Sequence, residues 1–87
     1  MSVKEILSQL SALNENCREA LEKNDLGLLR LLIEFKKDLL VLLKESVITE
    51  EDLPALEEAL RQEKELATLA LAKRESLEER LNTGLLH

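Results

Sequence analysis

The chain has 87 residues, enough for one compact domain and too few for two. It contains two Gly, one Pro, one Phe and neither Trp nor Tyr, which excludes a typical β-protein because strands favour aromatic and β-branched residues and turns need Gly and Pro. The net charge of −6 argues against nucleic acid or an anionic membrane as the main partner, since both attract clustered Lys and Arg. The abundance of Leu, Ala, Glu, Lys and Arg instead predicts an all-α protein.

The few reactive side chains indicate no chemistry. Cys17 is the single cysteine, so no internal disulfide can form, and the N-terminus lacks the apolar segment of a signal peptide. These features predict a cytoplasmic location. Cys17 falls among apolar positions, where core packing is the expected role, and the sole histidine is the terminal His87. We therefore expect no catalytic residue, no metal and no cofactor.

The first predicted helix covers about residues 3–23. Ser2 followed by Glu5 has the spacing of a capping box, which starts a helix near Val3. Apolar residues then recur at alternating steps of four and three, a spacing that keeps one helix face against a neighbour. These positions are Ile6, Leu10, Leu13, Cys17 and Ala20, widened by Val3, Leu7 and Leu21.

The second predicted helix covers about residues 26–45. Asn24 and Asp25 interrupt the first pattern, and both residue types favour turns and N-caps. The spacing predicts a core stripe with a second apolar row beside it, so this helix should be covered on more than one side. The core stripe is Leu28, Leu32, Phe35, Leu39 and Leu42, and the second row is Leu29, Ile33, Leu40 and Leu43.

The third predicted helix covers about residues 50–82. Asp52 can cap it, and Pro54 is acceptable only in its first turn. The run Asn82-Thr83-Gly84 predicts its end, with Gly84 in a left-handed C-cap conformation. Short connections place consecutive helices antiparallel. The predicted fold is an antiparallel three-helix bundle with a long third helix, forming one helical domain over residues 1–87.

Two charged residues, Glu63 and Arg74, fall on the core register of the third helix. They lie about 16 Å apart along the helix axis and cannot pair with each other. We expect each to pack its stem at the edge of the interface and to keep its charge in water. A helical enzyme of the chorismate mutase type would need several inward basic residues to bind a dianion. Arg74 is the only one on a clear core register, so we expect no enzyme.

The apolar surface exceeds what a lone three-helix bundle buries. The second helix, and the third between Leu66 and Leu71, would leave a patch that soluble monomers rarely tolerate. Two interpretations follow. The chain forms a homodimer in which these leucines bury one another, or the leucines receive an apolar helix of another protein.

Two segments resemble flagellar export chaperones. The segment from Ala20 to Leu29, continued by Glu34 to Leu40, is similar to their helix-turn-helix, in which a small polar residue and Asp precede a leucine-rich helix. The segment from Leu60 to Leu77 is similar to the third helix of the FliT type. The FlgN type shares the first half, but its members are usually longer. The likeness spans most of residues 6–81 and consists of leucines and charges.

The resemblance implies a cytoplasmic type III export chaperone without catalytic residues. Such a protein binds an aggregation-prone helix of a secreted filament component, such as the filament cap, and passes it to the export apparatus. The alternative is a structural helical-bundle oligomer or adaptor with no export client. We expect a client to contact the apolar positions beyond those that a three-helix core uses, namely Leu29, Ile33, Leu40, Leu43, Leu66 and Leu69.

Overall fold

The computed structural model describes the backbone of residues 1–86 and the side chains of residues 1–81. Its helices are α1 (Val3–Glu22), α2 (Leu26–Lys44) and α3 (Leu53–Leu86), and a short 3-10 turn at Glu50–Asp52 leads into α3. The helices pack against one another, which confirms the predicted all-α three-helix bundle.

Capping residues begin α1 and form the turn between α1 and α2. The Ser2 hydroxyl accepts the Glu5 backbone N–H at 3.2 Å, which begins α1 where the capping spacing predicts it. Asn24 has a left-handed φ of 58°, a conformation that Asn tolerates better than most residues. The Asp25 carboxylate then accepts the Leu28 backbone N–H at 3.1 Å and caps α2. The chain therefore reverses direction within three residues.

The start of α3 follows the sequence pattern, but its end does not. The Thr49 backbone N–H donates to the buried Asp52 carboxylate at 3.1 Å, forming the capping box that precedes α3. The predicted stop at Asn82-Thr83-Gly84 is wrong, because α3 continues to Leu86. One Gly inside a helix costs only about 1 kcal/mol relative to Ala, which is too little to end a helix by itself. His87 lies outside the described residues.

Helix α1 lies at the centre of the packing. It contacts both α2 and α3 along its length, whereas α2 and α3 share few close backbone contacts. Hydrogen bonds from Asn14 to Gln62 and from Lys73 to Asn24 show that α1 and α3 run in the same direction. Helix α2 runs antiparallel to both. The bundle is consequently open along the side where α2 faces α3.

Helix α3 extends beyond the other two helices. Its 34 residues correspond to about 51 Å at 1.5 Å per residue, against 20 residues in α1. The contact of Lys73 with Asn24, at the α1–α2 turn, marks the end of the bundle. Residues 74–86 therefore project past the bundle by about 20 Å, in a molecule whose longest extent is 57 Å. We call residues 74–86 the projecting end.

Two clusters of buried side chains, both centred on α1, form the core. The first joins Ile6, Leu7 and Leu10 to Leu39 and Leu43 of α2 and to Ala59 of α3. The second joins Cys17, Ala20 and Leu21 to Leu32 of α2 and Leu66 of α3. Every apolar position predicted for the α1 stripe is thus buried or partly buried.

The predicted core stripe of α2 is partly wrong. Leu32 and Leu39 are buried, but Leu28, Phe35 and Leu42 are 43%, 52% and 42% exposed. The core instead runs through Leu29, Leu32, Lys36, Leu39 and Leu43. Because α2 is apolar on most of its circumference, the spacing of its apolar residues does not determine which face is buried. The predicted stripe is rotated about the helix axis by less than a quarter-turn from the observed one. A charged residue, Lys36, occupies the middle of the real stripe.

Candidate functional site

An apolar groove lies between α2 and α3, with α1 as its floor. Cys17 and Leu21 of α1 form the base, and the groove has a volume of about 200 Å³. The complete lining is Cys17, Leu21, Leu29, Ile33, Lys36, Glu63, Leu66, Ala67 and Ala70. We call this the α2–α3 groove. It exists because α2 and α3 approach α1 more closely than they approach each other.

An ion pair closes one end of the α2–α3 groove. The Lys36 ammonium lies 2.6 Å from the Glu63 carboxylate, and the two side chains are 10% and 40% exposed. Lys36 reaches this position because its Cα belongs to the core face of α2, between Leu32 and Leu39. The pair bridges the two helices at the edge of the apolar interior. The expectation that Glu63 would pack at the interface edge and keep its charge in water holds only in part, because its partly exposed carboxylate pairs with Lys36, a lysine that the sequence pattern did not single out.

Cys17 lies under this groove as a packing residue. It is 2% exposed, and burial raises the pKa of its thiol, with the Glu63 charge adding to the shift and the Lys36 charge opposing it. A raised pKa keeps the thiol neutral and unreactive near neutral pH. The side chain therefore contributes apolar floor rather than a nucleophile.

The structure places the six residues proposed for client contact in different environments. Leu29 and Ile33 line the α2–α3 groove together with Leu66. Ile33 is 39% exposed and Leu40, one turn beyond Lys36, is 43% exposed. Leu69 is partly buried against the second core cluster, and Leu43 and Leu66 are core residues at 8% and 9% exposure. Only Leu29, Ile33 and Leu66 of the six meet in one groove.

Basic residues form a row along α2, and the first members of the row lie beside the groove. Arg30, Lys37 and Lys44 recur every seven residues, which places them in one row along the helix. Ile33 has Arg30 and Lys37 as neighbours on its solvent side, three residues before it and four after it. Within the described side chains, Arg30 and Lys44 have no carboxylate within ion-pair distance, and Lys37 pairs with Glu34 at 3.3 Å. Lys44 lies beyond Lys36, where the ion pair closes the groove, so Arg30 is the member of the row that lies beside the groove without a carboxylate partner among the described side chains.

A second exposed apolar face of α2 was missed because Leu28, Phe35 and Leu42 were assigned to the core stripe. Leu28, Leu31, Phe35 and Leu42 are 42–54% exposed, and they share one side of α2. Phe35 also lines a depression of about 370 Å³ between α1 and α2. Lys36 is the residue that could have revealed this face. A lysine can occupy the middle of a buried stripe where an acidic partner lies within reach, and Glu63 of α3 is that partner.

The remaining polar residues do not gather into a reaction centre. Arg74 is 77% exposed and pairs with Glu78 on its own helix at 3.1 Å, since α3 has passed the end of the bundle at that point. The predicted core register for Arg74 is therefore wrong. In the described part of the chain, no cluster of His, Cys, Asp or Glu could hold a metal ion. None of the described helices is long and apolar enough to cross a membrane.

Comparison with known proteins adds no relative. No protein-family model matches the sequence, no curated protein is similar to it, and no solved structure matches the fold.

Proposed function

We propose that this protein is a helix-binding chaperone in which the α2–α3 groove receives an apolar helix of a client. The observation that carries the proposal is the open groove itself. Its floor is built from core residues, while Ile33, Ala67 and Ala70 on its walls remain exposed. A client helix laid there would complete a four-helix bundle, a packing that suits helices of near-parallel axes.

The small side chains on α3 support this mode of binding. Ala67 and Ala70 lie on the groove wall, and small residues let a second helix approach closely. Opposite them, Leu29 and Ile33 offer larger apolar side chains that fit between the residues of an incoming helix. Arg30, which lies beside the groove without a carboxylate partner among the described side chains, favours a client helix that carries an acidic residue beside its apolar face.

The resemblance to FliT-type flagellar export chaperones gives this activity a biological setting. On that basis the protein acts in the cytoplasm, binds an aggregation-prone helix of a secreted filament component such as the filament cap, and delivers it to a type III export apparatus. It has no enzymatic role. The proposal needs no cofactor, because the binding energy comes from apolar burial and charge pairing.

A structural oligomer without a client is the second candidate. The exposed face formed by Leu28, Leu31, Phe35 and Leu42 favours it, because such a face is typical of surfaces that copies of a chain bury against each other. In that case self-association would be the whole function, and folding would weaken on dilution.

The test introduces a charge into the groove. Ile33→Asp is expected to raise the Kd for a synthetic peptide carrying the C-terminal helix of a filament-cap protein by at least about tenfold, since a buried unpaired carboxylate costs more than 1.4 kcal/mol. Isothermal titration calorimetry measures the Kd, and circular dichroism checks that the variant is folded.

Val41→Asp is the matched control. Val41 is also β-branched and lies on α2, but it is 56% exposed and outside the groove lining, so its replacement should leave the Kd unchanged. A folded Ile33→Asp variant that binds as tightly as wild type would contradict the proposed groove. Failure of the wild-type protein to bind the peptide would favour the structural oligomer.

A further inference from the structure

We propose that the surface between α1 and α2 binds an amphipathic helix that carries Lys or Arg beside its apolar residues. Phe35, which lines this surface, lies two residues after Ile33 and therefore points to nearly the opposite side of α2. The surface is thus separate from the α2–α3 groove, and the inference does not depend on the proposed function. The protein then has a second binding surface, for a partner of opposite charge to the client.

Two depressions lie one after the other between α1 and α2. The first has a volume of about 370 Å³ and is bordered by Ala12 and Leu13 of α1 and by Phe35 of α2. The second has a volume of about 280 Å³ and is bordered by Ala20 of α1 and Leu28 of α2. We call the surface formed by the two depressions the α1–α2 face.

The apolar side chains of the α1–α2 face have the spacing of a helix-binding surface. Phe35 and Leu28 lie seven residues apart, or about 10 Å along α2, so the depressions beside them can accept two apolar side chains seven residues apart on a docked helix. Leu31 and Leu42 extend the same side of α2, four residues before Phe35 and seven after it. The stretch from Leu28 to Leu42 is about 21 Å long, enough to cover four turns of a partner helix.

Carboxylates border the α1–α2 face along both helices. Glu19 of α1 and Asp38 of α2 line the two depressions. Glu5 lies one turn before Gln9, which lines the first depression, and Glu45 lies seven residues after Asp38, so both extend the same border. Among the described side chains, none of these four carboxylates has a cation within ion-pair distance. The border is therefore negative and unneutralised.

This acidic border selects a basic occupant. Lys23, at the α1–α2 turn, is the one cation among the described residues that line the two depressions. The basic residues Arg30, Lys37 and Lys44 form their row on the other side of α2. Helix α2 thus separates the two signs of charge. An acidic client helix would be repelled from the α1–α2 face, whereas a helix with Lys or Arg beside its leucines would gain charge pairs there.

A second copy of this chain does not supply such an occupant. A two-fold contact sets the same surface against itself, so it would bring the acidic borders of both copies together, and like charges oppose association. The described part of the projecting end, residues 74–81, carries three glutamates and two arginines and is not a basic helix either. The partner is therefore a different protein with a basic amphipathic helix.

The probe is a synthetic helical peptide of about 18 residues, with leucines three, four and seven residues apart and lysines beside them. A matched peptide has glutamine in place of each lysine. Fluorescence anisotropy should show that the wild-type protein binds the lysine peptide at least about tenfold more tightly than the glutamine peptide. Added salt should weaken the binding of the lysine peptide, because it screens exposed charges.

Two variants of the full chain locate the binding surface. Phe35→Ala removes an apolar anchor, and Asp38→Lys reverses one charge of the border. Each should raise the Kd for the lysine peptide at least about tenfold, and circular dichroism checks that both variants are folded.

Leu71→Ala and Glu57→Lys are the matched controls on α3, which lines neither depression. Leu71 is 55% exposed against 52% for Phe35, and Glu57 is an exposed carboxylate with no cation partner among the described side chains. Both controls should leave the Kd for the lysine peptide within about twofold of the wild-type value, since the changes lie away from the bound helix.

Several outcomes would overturn the proposal. They are no binding of the lysine peptide by the wild type, equal binding of the glutamine peptide, and unchanged binding by Phe35→Ala or Asp38→Lys. An equal loss in Glu57→Lys would show attraction to the net charge rather than to the α1–α2 face. Sedimentation velocity that shows a wild-type dimer abolished by Phe35→Ala would assign the face to a second copy instead.

The lysine peptide and the filament-cap peptide test different surfaces, so the two proposals can fail separately. Loss of filament-cap binding with the lysine peptide still bound would reject the chaperone role and retain the α1–α2 face. Binding of the filament-cap peptide without the lysine peptide would do the reverse.

Discussion

Lys36 is a charged residue inside an apolar interface, and its environment depends on one carboxylate. The side chain is 10% exposed, and its ammonium pairs with Glu63 at 2.6 Å. A buried ion pair often contributes little compared with apolar residues of similar volume, whereas removal of one partner leaves an uncompensated charge. The two residues should therefore respond very differently to substitution.

We expect Glu63→Ala to lower the free energy of unfolding by about 1–2 kcal/mol, a value below that of a fully buried pair because Glu63 is partly exposed. Lys36→Met should stay within about 1 kcal/mol of the wild type, since Met fills the same space without a charge. Urea unfolding followed by circular dichroism measures both values.

Lys37→Met is the control for this comparison. Lys37 is 65% exposed and forms only a surface pair with Glu34, so its replacement should change the free energy of unfolding by less than about 0.5 kcal/mol. A Lys36→Met variant much less stable than Glu63→Ala would show that the ammonium itself, rather than the lysine stem, stabilises the interface.

At the scale of single elements, the helix starts are encoded locally and are therefore readable in the sequence. Ser2 and Asp25 cap their helices with the hydrogen bonds that their spacing predicts. The α1 stripe was equally readable, because its polar face is continuous and leaves one orientation only. These features depend on residues within a few positions of one another, which sequence patterns record directly.

The orientation of α2 depends on distant residues, and the sequence pattern did not reveal it. Apolar residues cover most of this helix, so several rotations bury similar apolar area. The choice among them depends on whether Lys36 meets Glu63, 27 positions later in the chain. For the same reason the groove was only half predicted: Leu29, Ile33 and Leu66 line it, while Leu43 belongs to the core.

The cap of α2 offers a test at this scale. Asp25→Ala removes the acceptor of the Leu28 backbone N–H, and we expect a loss of about 1 kcal/mol in the free energy of unfolding. Asp38→Ala, in the middle of the same helix, should have the opposite sign, with a gain of up to about 0.5 kcal/mol, because Ala is the better helix former there. Chemical denaturation of both variants in one buffer measures the difference, and equal losses would contradict a capping role.

At the scale of the whole molecule, α3 is longer than the other two helices can cover. A bundle of 20-residue and 19-residue helices covers only part of a 34-residue helix. The remainder carries Leu77 and Leu81 on the face that the bundle would otherwise bury. A single copy therefore leaves an open groove between α2 and α3 and a helix end whose described leucines are exposed.

Hydrogen exchange measures whether the projecting end is covered. A helix end of about a dozen residues without packing is marginally stable in water, so amides of residues 74–81 should exchange rapidly at concentrations where the protein is monomeric. A dimer that covered this end would slow their exchange at least tenfold, because opening would then require dissociation. Mass spectrometry of peptides covering this segment, across a concentration series, measures the change. Amides of α1 around Ile6 and Leu10, which are 1% and 2% exposed, provide the reference, since their protection depends on the core of each copy. Exchange in residues 74–81 as slow as in α1 at low protein concentration would contradict an uncovered helix end.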